Sequence, residues 1–456
     1  MTPPPGSGPP PAGPPPRDGG GRENALALLG ALCFFLSAAE HLIPRPLPFM
    51  RIGLANMPLL LALGVLGRKD FFLLALLKTL GQGLLGGGLL SFIFLFSAAG
   101  TFASAAAMSA LGGLAFPKSG KRRLSLAGVG CAGAMASNGA QLLLARHLVF
   151  GEAARYLAPP FLAAGFAAGI ALGMTCEFFC RHSLWHARLS GRADPPPPPA
   201  AAAAEPRFPP PRSGTAAKLT RREGRTRREG RSRREERRLL RRRRWEGLFP
   251  PGWLFAAGLL MAAVFLLDRS LPALAARFSF FCALAWLSGK KNNPAATAAL
   301  VAGVVFFGLF TPHGRVLFAL GPLSVTRGGL SSGLERALTL AGLLMLSRAC
   351  VSSGLRLPGA LGSLLAKSLR MLELMGEKKP RLAGRGAVAG IDAMLLELEA
   401  ACGQDPASVS AGFSASVSAG NPREKARPGA KAALLLVAMA ALAAAAGAAA
   451  SAAAMH

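Results

Sequence analysis

Residues 24–43 read NALALLGALCFFLSAAEHLI, with Glu40 the single charged side chain among them. A helix needs about 20 consecutive apolar residues to cross a hydrocarbon core roughly 30 Å thick. The stretch therefore predicts a membrane span. Comparable runs follow at 52–67, 71–88, 90–115, 124–148 and 157–180, then at 248–267, 272–288, 294–311 and 329–350. The tail 431–454 is a weaker candidate, being mostly alanine, whose small side chain gains little on leaving water. Together the runs predict an all-α polytopic transmembrane helix bundle of about 10–11 spans in two modules.

The chain has 456 residues, 52% of them hydrophobic and 16% charged, yet its formal charge is +30. An ordinary soluble globule does not combine these properties, so the charge must be segregated from the apolar runs. It is: residues 218–244 hold 15 Lys/Arg against 4 Glu, a net +11. With the N-terminus inside, Arg68, Lys69, Lys118, Lys121, Arg122, Arg123, Lys290, Lys291, Lys367, Arg370, Lys378 and Lys379 also fall on the cytoplasmic side. The opposite loops hold Arg45, Arg51, Arg146 and Arg155.

The composition shifts set the boundaries. Residues 1–22 are rich in Pro and Gly and lack the basic start and small-residue cleavage site of a secretory signal, so they read as a disordered cytoplasmic tail. A misassigned start codon is an alternative. Residues 23–190 form a six-span module. Residues 191–246 form a disordered linker with a proline run and a hexad, Thr-Arg-Arg-Glu-Gly-Arg at 220–225, that recurs at 226–231 and with changes at 232–237. A second membrane module covers 247–380, a disordered segment 381–430, and an alanine-rich candidate span 431–456. The basic run has no interleaved aromatics for base stacking, and juxtamembrane Arg and Lys attract the cytoplasmic leaflet. Its expected partner is anionic lipid through residues 218–244, not nucleic acid.

Seven cysteines, at 33, 131, 176, 180, 282, 350 and 402, lie nearly all inside predicted spans and imply no disulfide framework. Cys176, Cys180, His182 and His186 invite a metal reading. However, His182 and His186 lie roughly 240° and 280° round a helix from Cys176, and one straight helix cannot gather all four. No metal and no cofactor is expected.

Polar residues inside spans are costly unless they face a cavity or a partner. Glu40 ends the first span and Asn56 opens the second. Lys78 and Gln82 share a face of the third, and Asn138 and Gln141 a face of the fifth. Each could simply hold helices together. As a set they predict the lining of a polar, substrate-binding pocket in which Glu40 and Lys78 offset each other's charge. Gly81, Gly83 and Gly86–Gly88 mark a segment that can pack closely or break, and Gly128, Gly130 and Gly133 give small-residue spacing on the fifth span.

The stretch from Glu40 through Ile43-Pro-Arg-Pro-Leu-Pro to Gly53-Leu-Ala-Asn56, the Gly-rich third span, and Ser125 through Ser137-Asn138-Gly-Ala-Gln141 together resemble the Gx transporter family over about residues 24–182. That family is labelled heptaprenyl diphosphate synthase component I and is similar to the substrate-binding S components of energy-coupling-factor (ECF) transporters. The resemblance implies a substrate-capture module for uptake of a small molecule, energised by ABC-type ATPase subunits on other chains, in a multi-pass protein of the bacterial cytoplasmic membrane. Two positions depart: Lys78 stands where the family has an arginine, and Ser137 where it has a histidine. The second departure puts proton handling there in doubt.

The alternative is a non-catalytic accessory subunit in heptaprenyl or polyprenyl diphosphate synthesis. Catalysis by this chain is not expected, because prenyl elongation needs carboxylate clusters that hold magnesium against diphosphate. Asp18, Asp70, Asp194, Asp268, Asp392 and Asp405 are all isolated, and no GxxxxGK[ST] loop occurs. In the second half, Gly321–Leu340 and the apolar helix after it resemble part of a T component of the same transporters. Residues 357–376 pattern as an amphipathic cytoplasmic helix that lies on the membrane or meets a partner. The T-component resemblance implies an ATPase contact at Gly384-Arg385-Gly386, where Arg385 is the partner-contact candidate.

Overall fold

Backbone amides have no water to bond in a bilayer, so apolar segments pair them within helices. The computed structural model describes residues 19–40, 53–115, 124–191, 223–267, 270–290, 293–309, 316–320, 323–352, 355, 359–377, 387–404 and 430–453. The helices are α1 (Gly19–Glu40), α2 (Met57–Ala62) after a 3₁₀ turn at Leu54–Asn56, α3 (Arg68–Leu85), α4 (Phe92–Ala115), α5 (Leu126–Ala145), α6 (Ala154–His182), α7 (Leu184–Leu189), α8 (Glu223–Leu248), α9 (Pro251–Leu267), α10 (Leu271–Leu287) and α11 (Pro294–Gly308). Strands β1 (Val316–Leu320) and β2 (Leu323–Thr326) follow, then α12 (Arg327–Cys350), α13 (Gly359–Glu377), α14 (Ala387–Gln404) and α15 (Ala430–Ala453).

The chain folds as two units, and they are not consecutive in sequence. The first contains residues 1–86, 93–194 and 356–420; the second contains 87–92, 195–355 and 421–456. In the first, α1 is the central helix, with Leu29, Leu32, Cys33 and Phe34 fully buried. Its neighbours include α2, α3 and α13. Helices α5 and α6 form a hairpin through a π-helical turn at Arg146–Phe150 and a 3₁₀ turn at Gly151–Ala153. They pack backbone to backbone: a Cβ on Gly130 would lie 2.8 Å from the carbonyl oxygen of Gly169. The small-residue spacing on this span thus serves helix contact.

In the second unit, α9, α10, α12 and α15 enclose a core of Leu254, Met261, Phe265, Phe281, Leu346 and Met439, with Phe265 and Phe281 edge to face at 5.2 Å. Arg277 Nε of α10 donates to the Ala443 carbonyl of α15 at 3.1 Å. The alanine-rich tail is therefore a packed helix, not a free one.

The all-α expectation holds: among the described residues the bundle is helical, with one short antiparallel hairpin, β1–β2. Among the described residues, three helical stretches are long and apolar enough to cross a bilayer: Gly21–Glu40, Phe92–Ala115 and the combined Leu126–His182, with a fourth if Glu236–Leu248 and Pro251–Leu267 count as one bent span. Helices α10 and α11 are apolar but shorter. Helix α11, with 15 residues, is about 23 Å long.

The linker 191–246 is not disordered throughout, since from Glu223 it is helical. Arginine and glutamate are good helix formers, and Glu246 sits four residues from Arg242, whose Nε it accepts at 2.9 Å. Residues 218–222 lie outside the described residues. The amphipathic helix α13 finds cover for its apolar face within the chain. Its apolar face packs on α1 and α3 of the first unit, burying Leu364, Leu365 and Met375. Within the expected disordered segment 381–430, α14 is helical and docks on α7. The boundary at residue 380 accordingly falls inside the first unit, because apolar faces on α13 and α14 find their cover there.

Candidate functional site

The turn Gly53–Asn56 organises the polar residues of the first unit. Gly53 adopts φ +86°, a left-handed conformation that a side chain would strain, and the Asn56 amide donates to its carbonyl at 2.8 Å. Two charges end on this one turn. The buried Glu40 carboxylate accepts the Gly53 amide at 3.1 Å. The buried Lys78 ammonium donates to Asn56 Oδ1, and also to Thr101 Oγ1 of α4 at 3.4 Å. The connection the structure shows between Glu40 and Lys78 thus runs through the turn.

One helical turn along α3, Gln82 Oε1 accepts from Ser97 Oγ of α4 at 3.5 Å. Lys78 and Gln82 on one helix therefore meet Thr101 and Ser97 on the other, each pair spaced i, i+4, so a single face of α3 presents both groups to α4. Gln141 Nε2 donates to Ser137 Oγ at 3.3 Å on its own helix, and both press against Gly100, where a Cβ would overlap them. Gln141 thereby stands beside α4 one residue from Thr101.

Asn138 points elsewhere. Its Nδ2 donates to the Phe161 carbonyl of α6 at 2.9 Å, against Gly165. The six candidates therefore separate into a cluster of Glu40, Asn56, Lys78 and Gln82, a neighbour in Gln141, and Asn138, which ties α5 to α6. Arg385 lies outside the described residues. Thr101 and Ser97 belong to the cluster although the sequence reading does not single them out, because Ser and Thr are common inside spans and bond their own backbone cheaply. Their signal is the i, i+4 spacing opposite Lys78 and Gln82.

A cavity of about 320 Å³ lies under the α2–α3 turn, lined by Leu63–Arg68, Phe71, Ser109, Gly112 and Gly113, and by none of the six candidates. The cysteine and histidine group is partly gathered. Cys180 Sγ and His186 Nε2 lie 3.6 Å apart because the chain turns at Ser183, in extended conformation, between α6 and α7. Cys176 Sγ instead donates to the Met57 carbonyl at 3.7 Å, and His182 Nδ1 sits 2.9 Å from the Phe178 carbonyl. Among the described residues no three His, Cys, Asp or Glu form a metal-binding group.

A second polar feature escapes the sequence reading. The buried Asp392 carboxylate on α14 accepts Ser183 Oγ and the backbone amides of Leu184, at 3.2 Å, and Trp185, at 3.1 Å. It caps the N-terminus of α7, where the unpaired amides favour an anion.

Apolar helices long enough to cross a bilayer, with buried polar contacts between them, define a helical membrane protein. Within it, residues 29–179 match the family model described as heptaprenyl diphosphate synthase component I. Residues 253–353 match a model described as a domain of unknown function. The second match lies wholly in the second unit and the first almost wholly in the first. No curated protein and no solved structure matches the chain.

Proposed function

We propose that the first unit captures a small molecule for uptake across the bacterial cytoplasmic membrane, as a multi-pass transport protein energised by ABC-type ATPase subunits on other chains. The observation that carries this reading is Lys78: its ammonium is buried among apolar helices and donates to the Asn56 amide oxygen and the Thr101 hydroxyl. A buried charge costs several kcal/mol even when paired, and a neutral residue would pack these helices more cheaply. Its retention supports a binding role. A substrate bearing a carboxylate or phosphate would take the place of Asn56 and Thr101 on the ammonium, and Gln82 and Gln141 would supply amides nearby. Glu40, by fixing the Gly53 amide, positions Asn56. The ECF resemblance supplies the energetic half of the mechanism, and Arg385 remains its proposed ATPase contact.

The second reading rests on the family match over residues 29–179: a membrane-bound, non-catalytic partner of a heptaprenyl diphosphate synthase. Affinity purification of the full chain from its native membrane separates the two. Recovery of ABC-type ATPases supports uptake, and recovery of a soluble prenyl synthase supports the accessory role. Uptake further predicts that Lys78→Met and Glu40→Gln each abolish transport in a protein that still folds; normal transport in both variants contradicts it.

A further inference from the structure

The end of α8 turns a corner. Glu236–Leu248 runs at 91° to α9, with the break at Phe249–Pro250. Two successive prolines, Pro250 and Pro251, explain the break, since neither has an amide hydrogen to continue the α8 ladder. Helix α9 exposes Trp253, Leu259, Leu260, Leu266 and Leu267 over half or more of their surface, an apolar surface suited to lipid contact. A helix at right angles to a lipid-facing span lies along the bilayer surface. Three of the chain's four tryptophans, Trp245, Trp253 and Trp286, mark the same corner, and tryptophan concentrates at membrane–water interfaces.

The inner half of this helix is fixed to α10. The Arg241 guanidinium stacks 4.2 Å above Trp286, and Trp245 packs on Phe249 at 5.0 Å. Gly289 lets the α8 backbone approach: its φ is +68°, and a Cβ there would lie 2.6 Å from the Arg238 carbonyl oxygen and 2.7 Å from the Arg242 nitrogen. The outer half is exposed. It interleaves Arg237, Arg243 and Arg244 with Leu239, Leu240 and Leu248. At 100° per residue these six side chains occupy one half-circle of the helix, opposite Arg238, Arg241, Arg242 and Trp245.

We propose that Glu236–Leu248 is an interfacial helix that binds anionic phospholipid headgroups through Arg237, Arg243 and Arg244, with Leu239, Leu240 and Leu248 seated at the acyl boundary. The contact narrows the lipid site from residues 218–244 to the last turns of α8, which the corner holds at the surface whatever the hexads before it do. The occupant is a phospholipid because the arginines alternate with exposed leucines, which free phosphate would leave in water. The proposal is independent of what the first unit transports.

The test uses the full chain in nanodiscs and reads tryptophan fluorescence. Brominated phosphatidylglycerol or brominated phosphatidylcholine is the quencher, at equal mole fraction. Trp185 is fully buried in the first unit and adds a constant background. The expected result is quenching about twofold stronger by the anionic lipid, because surface arginines attract anionic headgroups. Replacing Arg237, Arg243 and Arg244 together by Gln brings the ratio to one, and replacing the same three by Lys preserves it. Equal quenching by both lipids in the unaltered protein, or a ratio the Gln variant leaves intact, overturns the proposal.

Discussion

Two regions of the molecule treat positive charge in opposite ways: the α3–α4 contact of the first unit and the end of α8 in the second. In the first, the Lys78 ammonium is withdrawn from water and donates to Asn56 and Thr101, with Glu40 held on the same turn. In the second, Arg237, Arg243 and Arg244 of α8 stay exposed beside the tryptophans of the α9–α10 corner. Burial is expensive and marks a place where a charge has a task; exposure is cheap and marks a surface. One residue in the first unit thus carries more functional information than the net +11 of residues 218–244.

If that contrast is right, mutations in the two regions differ in kind. The largest effect is expected at Lys78. Lys78→Met should abolish ligand retention while leaving thermal stability unchanged or higher, because it removes a desolvated charge. A fall in stability matching the loss of binding would make Lys78 structural and dissolve the contrast.

Next is Gly289→Val, which sets a branched side chain against the α8 backbone at a positive φ. It should cost about 3 kcal/mol by unfolding in detergent. Gly252→Ala is the control, since nothing lies within 4 Å of its Cβ, and it should change stability by less than about 1 kcal/mol.

Asp392→Ala should cost about 1–2 kcal/mol by leaving the amides of Leu184 and Trp185 without their acceptor. Hydrogen exchange at those two amides should speed up while exchange in α10 stays the same. Uniform acceleration would mean that the cap is not local.

The smallest effect concerns Lys290, which follows α10 and donates to the Val351 carbonyl. Burial, aided by the charge of Arg242, lowers its pKa to about 8 from an ordinary 10.5. Between those values the unfolded chain keeps the proton that the folded chain has released, so stability should rise as pH increases from 8 toward 10.5. Thermal unfolding of Lys290→Met, compared with the unaltered chain across that window, should lack the rise.

Much of this architecture is legible in the sequence, because apolar length is a direct physical requirement of the bilayer. The candidates Glu40, Asn56, Lys78 and Gln82 are found for the same reason, since each is conspicuous in a hydrocarbon setting. Asn138 shows the limit: it shares a predicted face with Gln141, but the close α5–α6 approach at Gly165 turns it toward a backbone carbonyl. Helix α8 reads as a linker because its composition is that of a solvated chain, and composition does not reveal the contacts at Trp286 and Gly289 that anchor its end. The return of α13 and α14 to the first unit is equally hidden. An amphipathic pattern shows that a face needs covering and does not name the cover, and Asp392 looks isolated until α7 is placed beneath it.

The most direct test of the buried-charge site is native mass spectrometry of the full chain, extracted gently from its own membrane, beside its Lys78→Met variant. The account predicts an added small-molecule mass on the unaltered protein that is missing from the variant, while both keep the same bound lipids. The same added mass on both proteins, or none on either, would contradict it.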